Sequence, residues 1–232
     1  MSRVDEYRAQ LSSLTAAEWA GFLTEHSGLP GPRGNIELAK AIAEVADSAS
    51  VDAFIATDDE YLVFCGVVGL GRLLAEGDDG NLEQRLRVHA TDDRWRVREA
   101  VAMALQRLGD SDVQRMLDMV ADWARDSDPL VQRAAVAGVC EPRLLRTSES
   151  AGTAIEICER VTRALAARPP SERREPGVRA LRQGLGYCWS VAVAADATRG
   201  LPRFRALSAC PDPDVAWIAR ENRKKSRLAR LL

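Results

Sequence analysis

The feature that most constrains the fold is an internal repeat. Asp58, Asp92 and Asp126 follow one another at intervals of 34 residues, and so do Val63, Val97 and Val131. The three segments read DDEYLVFCGVVGL, DDRWRVREAVAMAL and DSDPLVQRAAVAGV. Each opens with an acidic turn and runs into a stretch of small and branched apolar residues. An Asp at that point can cap the free N–H groups of a helix and complement its dipole. Small residues such as Gly66, Ala100, Ala104, Ala134 and Gly138 let neighbouring helices approach closely, and the valines and leucines between them fill the seam. One helix pair cannot bury its apolar face alone, so a sequence of this kind requires stacking of pair on pair. A looser fourth copy, CPDPDVAWIAREN, lies at Cys210–Asn222.

The remainder reads as helix. Thr15 and Glu18 form a capping box ahead of AAEWAGFLTEH, and Asn35 stands before IELAKAIAEVA. NLEQRLRVHA and DVQRMLDMVADWA supply partner helices for the central repeats. SAGTAIEICERVTRALAAR and GVRALRQGLGYCWSVAVAAD form longer helices, separated by RPPSERREPG at 168–177, the best hinge or loop candidate. No alternating strand pattern flanked by hairpin turns is present. The loop GLPGPRGN at 28–35 is rich in glycine, but it follows a helix and lacks the lysine followed by Ser/Thr of a phosphate-binding loop. It reads as a connector.

The motif D-x-x-x-V-R-x-A, carried by Asp93, Val97, Arg98 and Ala100, resembles the signature of HEAT repeats, and DSDPLVQRAAVAG resembles it as well. The resemblance implies an all-α fold, a right-handed α-α superhelix of armadillo-like, HEAT-like helical repeats. The expected organisation is one solenoid over 1–232. It would have N-terminal capping helices at 1–50, regular repeats at 51–140 and degenerate, basic repeats at 141–232.

Charge divides the chain. Residues 1–140 hold 14 Lys/Arg against 24 Asp/Glu, a balance of −10, whereas 141–232 hold 18 against 10, a balance of +8. Near the end, RENRKKSRLAR gathers Arg220, Arg223, Lys224, Lys225, Arg227 and Arg230. These cations suit the C-terminal end of a solvated capping helix. They suit phosphates, and they also suit an acidic protein partner. Arg133 and Arg182 join Arg220, Arg223, Lys224, Lys225 and Arg227 as candidate partner-binding or nucleic-acid-binding residues. Aromatic residues for base stacking are sparse, which argues against single-strand binding.

A second resemblance bears on chemistry. The arrangement is similar to the HEAT-like DNA glycosylases that excise alkylated bases, in which an aromatic residue and a carboxylate lie one helical turn apart and an arginine follows on the next repeat. Here Trp95 and Glu99 stand at i and i+4 on one helix face, and Arg133 follows one repeat later. The resemblance implies that Glu99 would stabilise the cationic sugar while Trp95 packs on the departing base. Glu99 stands where that family typically carries Asp. Trp123 and Trp189 are candidates for the remaining aromatic residues of its cleft.

Other chemistries lack support. The five cysteines, Cys65, Cys140, Cys158, Cys188 and Cys210, are scattered without a CxxC pair and read as buried free thiols. His26 and His89 lie beside no metal-ligand cluster, so neither metal nor cofactor is expected. Asp118 and Asp122 form an i, i+4 pair that reads as a solvated face. Trp19, Trp189 and Trp217 read as core, and the run from Tyr187 to Ser190 as packing. No stretch has the length of apolar sequence a membrane span needs, and the N-terminal residues lack an apolar signal core, so a cytoplasmic location without membrane association is expected. The expected function is a non-catalytic scaffold that presents a concave surface to a macromolecule, most simply a protein. The alternative is a DNA-binding relative of the alkylation-repair glycosylases, with base excision as its only expected catalysis.

Overall fold

The computed structural model describes residues 2–77 and 80–232. The chain has an all-α, helical-repeat fold, and no strand occurs among the described residues. It divides into two compact units, Met1–Ser111 and Asp112–Leu232. That boundary falls inside the block that reads in sequence as a run of regular repeats.

The first unit contains α1 (Arg3–Ser12), α2 (Ala16–Glu25), α3 (Ile36–Val45), α4 (Ser48–Ile55), α5 (Glu60–Glu76), α6 (Gly80–His89) and α7 (Trp95–Ser111). Helices α3, α5 and α7 lie side by side with α5 in the middle, and α4 and α6 pack against α5. The α5–α7 seam depends on missing side chains. A Cβ at Gly71 would come within 2.5 Å of the Ala104 backbone, so these two helices touch main chain to main chain. Gly66 and Gly69 admit Ile55 and Val51 of α4 in the same way, where a Cβ would meet side-chain carbons at 2.6 and 2.7 Å. Tyr61, Val67, Leu70, Leu74, Val97, Val101 and Leu105 fill the remaining space and are buried.

The second unit contains α8 (Val113–Trp123), α9 (Pro129–Val139), α10 (Ser148–Ala167), α11 (Pro176–Ala195), α12 (Ala197–Ser208), α13 (Pro213–Arg223) and the short α14 (Ser226–Ala229). One layer is formed by α9, α11 and α13, and the other by α8, α10 and α12. Glycines again set the spacing. A Cβ at Gly186 of α11 would meet the Trp217 ring at 2.9 Å, and one at Gly200 of α12 would meet the Val193 backbone at 2.8 Å.

The acidic turns act as caps. Asp59 accepts from the N–H groups of Tyr61 and Leu62, Asp128 from that of Leu130, and Asp212 from those of Asp214 and Val215. Behind each turn the repeat valine is buried, at Val63, Val97, Val131 and Val215. The residue after that valine also has a job. Arg98 donates to the backbone carbonyl of Asp92, and Gln132, one repeat later, donates to the carbonyl of Asp126 at 2.8 Å. The same loop oxygen is tied in both copies. At the corresponding place in the first copy stands Phe64, which is buried.

The capping box of Thr15 and Glu18 is present, with both Thr15 groups donating to the carboxylate at 2.8 Å, and Asn35 caps α3 through the Leu38 N–H. The loop at 28–35 is a connector. Gly28 turns it with φ of 75°, and the loop closes through bonds from Gly31 N–H to the Gly28 carbonyl and from Asn35 N–H to that of Ser27. The segment at 168–177 connects α10 to α11 but is fastened, which argues against a hinge. Arg173 donates to the carbonyls of Arg168 and Ala166 and to the carboxylates of Asp212 and Asp214.

All five cysteines are free, and four are buried. The Cys140 and Cys158 sulfurs lie 3.7 Å apart, and contact with the Cys158 and Cys188 thiols together with burial raises Cys140 well above its usual range. No described helix is long and apolar enough to cross a membrane.

Candidate partner-binding surface

Trp95 and Glu99 both lie on α7 in the first unit, whereas Arg133 lies on α9 in the second. Trp95 opens its helix and is about half exposed. One face of its ring is covered by Arg96, whose guanidinium sits 4.7 Å from the ring centre. That guanidinium is itself held by Glu60 at 2.9 Å and by the Gly31 carbonyl at 3.1 Å. A cation–π partner is therefore already in place on Trp95. Glu99 is partly buried on the next turn. Trp123 and Trp189, the other candidate aromatics of a base-binding cleft, are buried in the second unit's core, and the Trp189 indole N–H donates to Thr162 at 3.0 Å. Neither ring presents a face to a nucleobase.

Beside Arg96 lies a surface cleft lined by Thr24, Ser27, Leu29, Pro30, Asp59, Glu60 and Tyr61. Two carboxylates face the single guanidinium there, an environment that opposes a phosphate. Asp118 and Asp122 are both exposed, and Gln114 donates to Asp118 at 3.0 Å, as on a solvated helix face. Among the described residues no group of three or more His, Cys, Asp or Glu side chains is placed to hold a metal ion.

The candidate cations of the second unit fall into two sets. The first is engaged with the molecule itself. Arg182 donates to Asp214 at 2.6 Å and lies 4.8 Å from the Trp217 ring centre. Asp214 and Asp212 also hold Arg173. Burial tends to raise the Asp212 carboxyl, but the Arg173 guanidinium and the backbone N–H groups of Val215 and Asp214 outweigh it, and the group titrates below its usual value. Lys225 and Arg227 both lie over the Tyr187 ring, and Arg227 donates to the Tyr187 hydroxyl at 2.8 Å. Arg133 packs its side chain near Gly184 of α11. Arg182, Lys225 and Arg227, read from sequence as partner-binding, thus fasten α11 to α13 and to the chain that follows it.

The second set lines a cleft between α12 and α13. Ser208, Ala216, Ala219, Arg220, Arg223 and Lys224 surround a volume of about 450 Å³. Arg220, Arg223 and Lys224 are exposed, and Lys224 bonds Glu221 at 2.7 Å. Ala216, Ala219, Arg220 and Arg223 recur at helical spacing along one stripe of α13. The opposite stripe, with Asp214, Trp217, Glu221 and Asn222, faces α11. The cleft is therefore on the side of α13 turned away from its neighbour.

The cations of this cleft are legible in the sequence, but its floor is not. Two alanines in a helical run look like any repeat core, and only the spacing of Ala216 and Ala219 with Arg220 and Arg223 hints at a shared surface. Tyr187 was expected in the packing but is exposed. Trp217 and Trp19 are partly buried, not core.

No known protein family matches the sequence, and no curated protein does. Among solved structures the chain is similar to two engineered proteins from the Northeast Structural Genomics Consortium. One has 15% identity and a TM-score of 0.39 over 96% of this chain and 97% of that one. The other has 16% identity and a TM-score of 0.38 over 100% and 98%. A designed armadillo repeat protein, solved in complex with the peptide (KR)4, is similar at 14% identity and a TM-score of 0.38, over 95% and 98%. At this depth of likeness none of the three bears on what the chain binds.

Proposed function

We propose that the chain is a non-catalytic helical-repeat protein of HEAT-like character that holds a macromolecular partner, a protein, on its second unit. The observation that carries this reading is the lining of the α12–α13 cleft, an alanine floor with Arg220 and Arg223 on the same helix stripe and Lys224 just beyond it. Apolar contact flanked by charge suits protein recognition, in which an anchor enters a pocket and the rim sets orientation. Duplex DNA asks for a broad array of cations able to neutralise many phosphates. Several cations that could form such an array, Arg173, Arg182, Lys225 and Arg227, are engaged with Asp212, Asp214 and Tyr187.

The test is affinity purification of the tagged chain from its own cells, at low and high salt, with and without nuclease. A protein recovered in near-stoichiometric amount, insensitive to nuclease, is the expected result. Recovery of no protein under any of these conditions counts against the reading.

A DNA-binding relative of the alkylation-repair glycosylases is the second reading, favoured by the half-exposed Trp95 with Glu99 one turn further on. It requires duplex binding at low salt and release of alkylated purines that Glu99→Gln abolishes. Arg96 on the Trp95 ring weighs against it, because a cationic base would have to share that ring with a resident cation.

A further inference from the structure

Resting on the reading of the second unit as a protein-binding module, we infer that the cleft between α12 and α13 takes the carboxylate side chains of an acidic helical segment on a separate partner protein. Three observations converge on that chemistry. Arg220, Arg223 and Lys224 bring positive charge to the cleft, and among the described residues only Lys224 of the three has an acidic bond partner, Glu221. Ala216 and Ala219 make a floor without bulk, on which another helix can lie at close approach. Ser208 also lines the cleft, and its Oγ lies just beneath the surface with no hydrogen-bond partner among the described residues. A shielded hydroxyl without a partner is uncommon in a finished interior, and a rotation of the Ser208 side chain toward the cleft would let it donate to a carboxylate oxygen.

The stacking geometry supplies the form of the occupant. Within this layer α9 packs on α11 and α11 on α13. The outward stripe of α13 is the surface on which another helix of the layer would lie, and no residue of α14 lines the cleft. A helix from the partner, with Glu or Asp at i and i+4, would repeat that packing with charge added at its edge.

The experiment is a fluorescence anisotropy titration of the full chain with a fluorescein-labelled, Glu/Ala-rich helical peptide at about 20 mM and about 200 mM salt. Duplex DNA is the competitor. Wild type is expected to bind, more weakly at the higher salt. Reversing charge with Arg220→Glu and Arg223→Glu together should lower affinity about tenfold or more, while Arg220→Lys with Arg223→Lys stays within about threefold. Arg163→Glu, at a well-exposed position on α10, should stay within about twofold. Melting curves that overlay wild type show that the variants are folded.

Peptide binding that the charge-reversal pair leaves unchanged overturns the assignment to this cleft, and so does absence of binding by wild type. Neither result touches the broader protein-binding reading, which rests on its own co-purification test. Displacement of the peptide by duplex DNA at equal charge concentration overturns both. Salt-sensitive dimers in sedimentation velocity, abolished by the charge-reversal pair, would put a second copy of the chain in the cleft and overturn the assignment to a separate partner.

Discussion

The α5–α7 seam of the first unit and the α11–α13 seam of the second solve the same packing problem by different means. In the first, Gly71 lies on the Ala104 backbone and the neighbouring positions are apolar. Close main-chain approach dominates the register there, with a single ion pair, Arg96–Glu60, at one end of the seam. In the second, Arg182 and Arg173 converge on Asp214, and Asn222, fully buried, accepts from the Ser190 N–H and donates to the carbonyls of Leu185 and Ile218. Hydrogen bonds set the register there, and glycine opens space for an aromatic ring instead of a backbone. A steric seam is intolerant of added atoms, whereas a bonded seam is intolerant of lost partners. The bonded seam also engages several of the basic unit's cations within the molecule, so they are withdrawn from any partner surface.

The largest predicted effect comes from adding one methyl to the steric seam. Gly71→Ala should cost about 3 kcal/mol, because the new carbon meets main chain that cannot step aside. Gly186→Ala, which meets the edge of the Trp217 ring, should cost about 1 kcal/mol. Urea unfolding of the two variants gives the comparison directly, and equal costs would break it.

Next comes removal of a partner from the bonded seam. Asn222→Ala leaves three backbone groups without their side-chain partner and should cost about 2 kcal/mol. Amide exchange should quicken in α11 and α13. Unchanged protection there would show that Asn222 fills space and does not set register.

The smallest effect separates the units by pH. Both histidines belong to the first unit. Burial lowers His89 below its usual value, and the nearby Arg85 and Arg94 add to this against Asp92. A histidine harder to protonate when folded withholds nothing from stability above about pH 6.5 and costs stability as pH falls through that value. The first unit should lose a little stability between pH 7 and about pH 5.5. Amide protection in α6 and α7 should report the loss, and His89→Gln should remove it. Depression of Asp212 acts in the opposite range. Its contribution is complete above about pH 3.8 and fades only as pH drops further.

These contrasts show which parts of the molecule a sequence can display. The 34-residue period, the buried valines, the aspartate caps and the Thr15–Glu18 box are all local patterns, each set by one helix and its start, so they can be read along the chain. Arg182 could not be read that way. It stands among basic neighbours, and its commitment to Asp214 depends on a residue 32 positions away brought alongside by packing. Tyr187 looked like core because its neighbours are core, and its exposure follows from which stripe of α11 faces outward. Trp123 and Trp189 failed as cleft residues for the converse reason. The boundary near Ser111 had no compositional signal, since the acidic turn and helix pattern continue across it.

The paired bonds from Arg98 and Gln132 to the loop carbonyls of Asp92 and Asp126 carry a lesson about inheritance in repeat arrays. What the second and third copies share is a tether, and the letter that makes it is negotiable: a charged side chain in one, a neutral amide in the next. An array built this way can drift in spelling while its joints stay fixed. A copy that lacks the tether, such as the first with its buried Phe64, keeps the capping aspartate and the buried valine, so those two are the surer marks of a repeat.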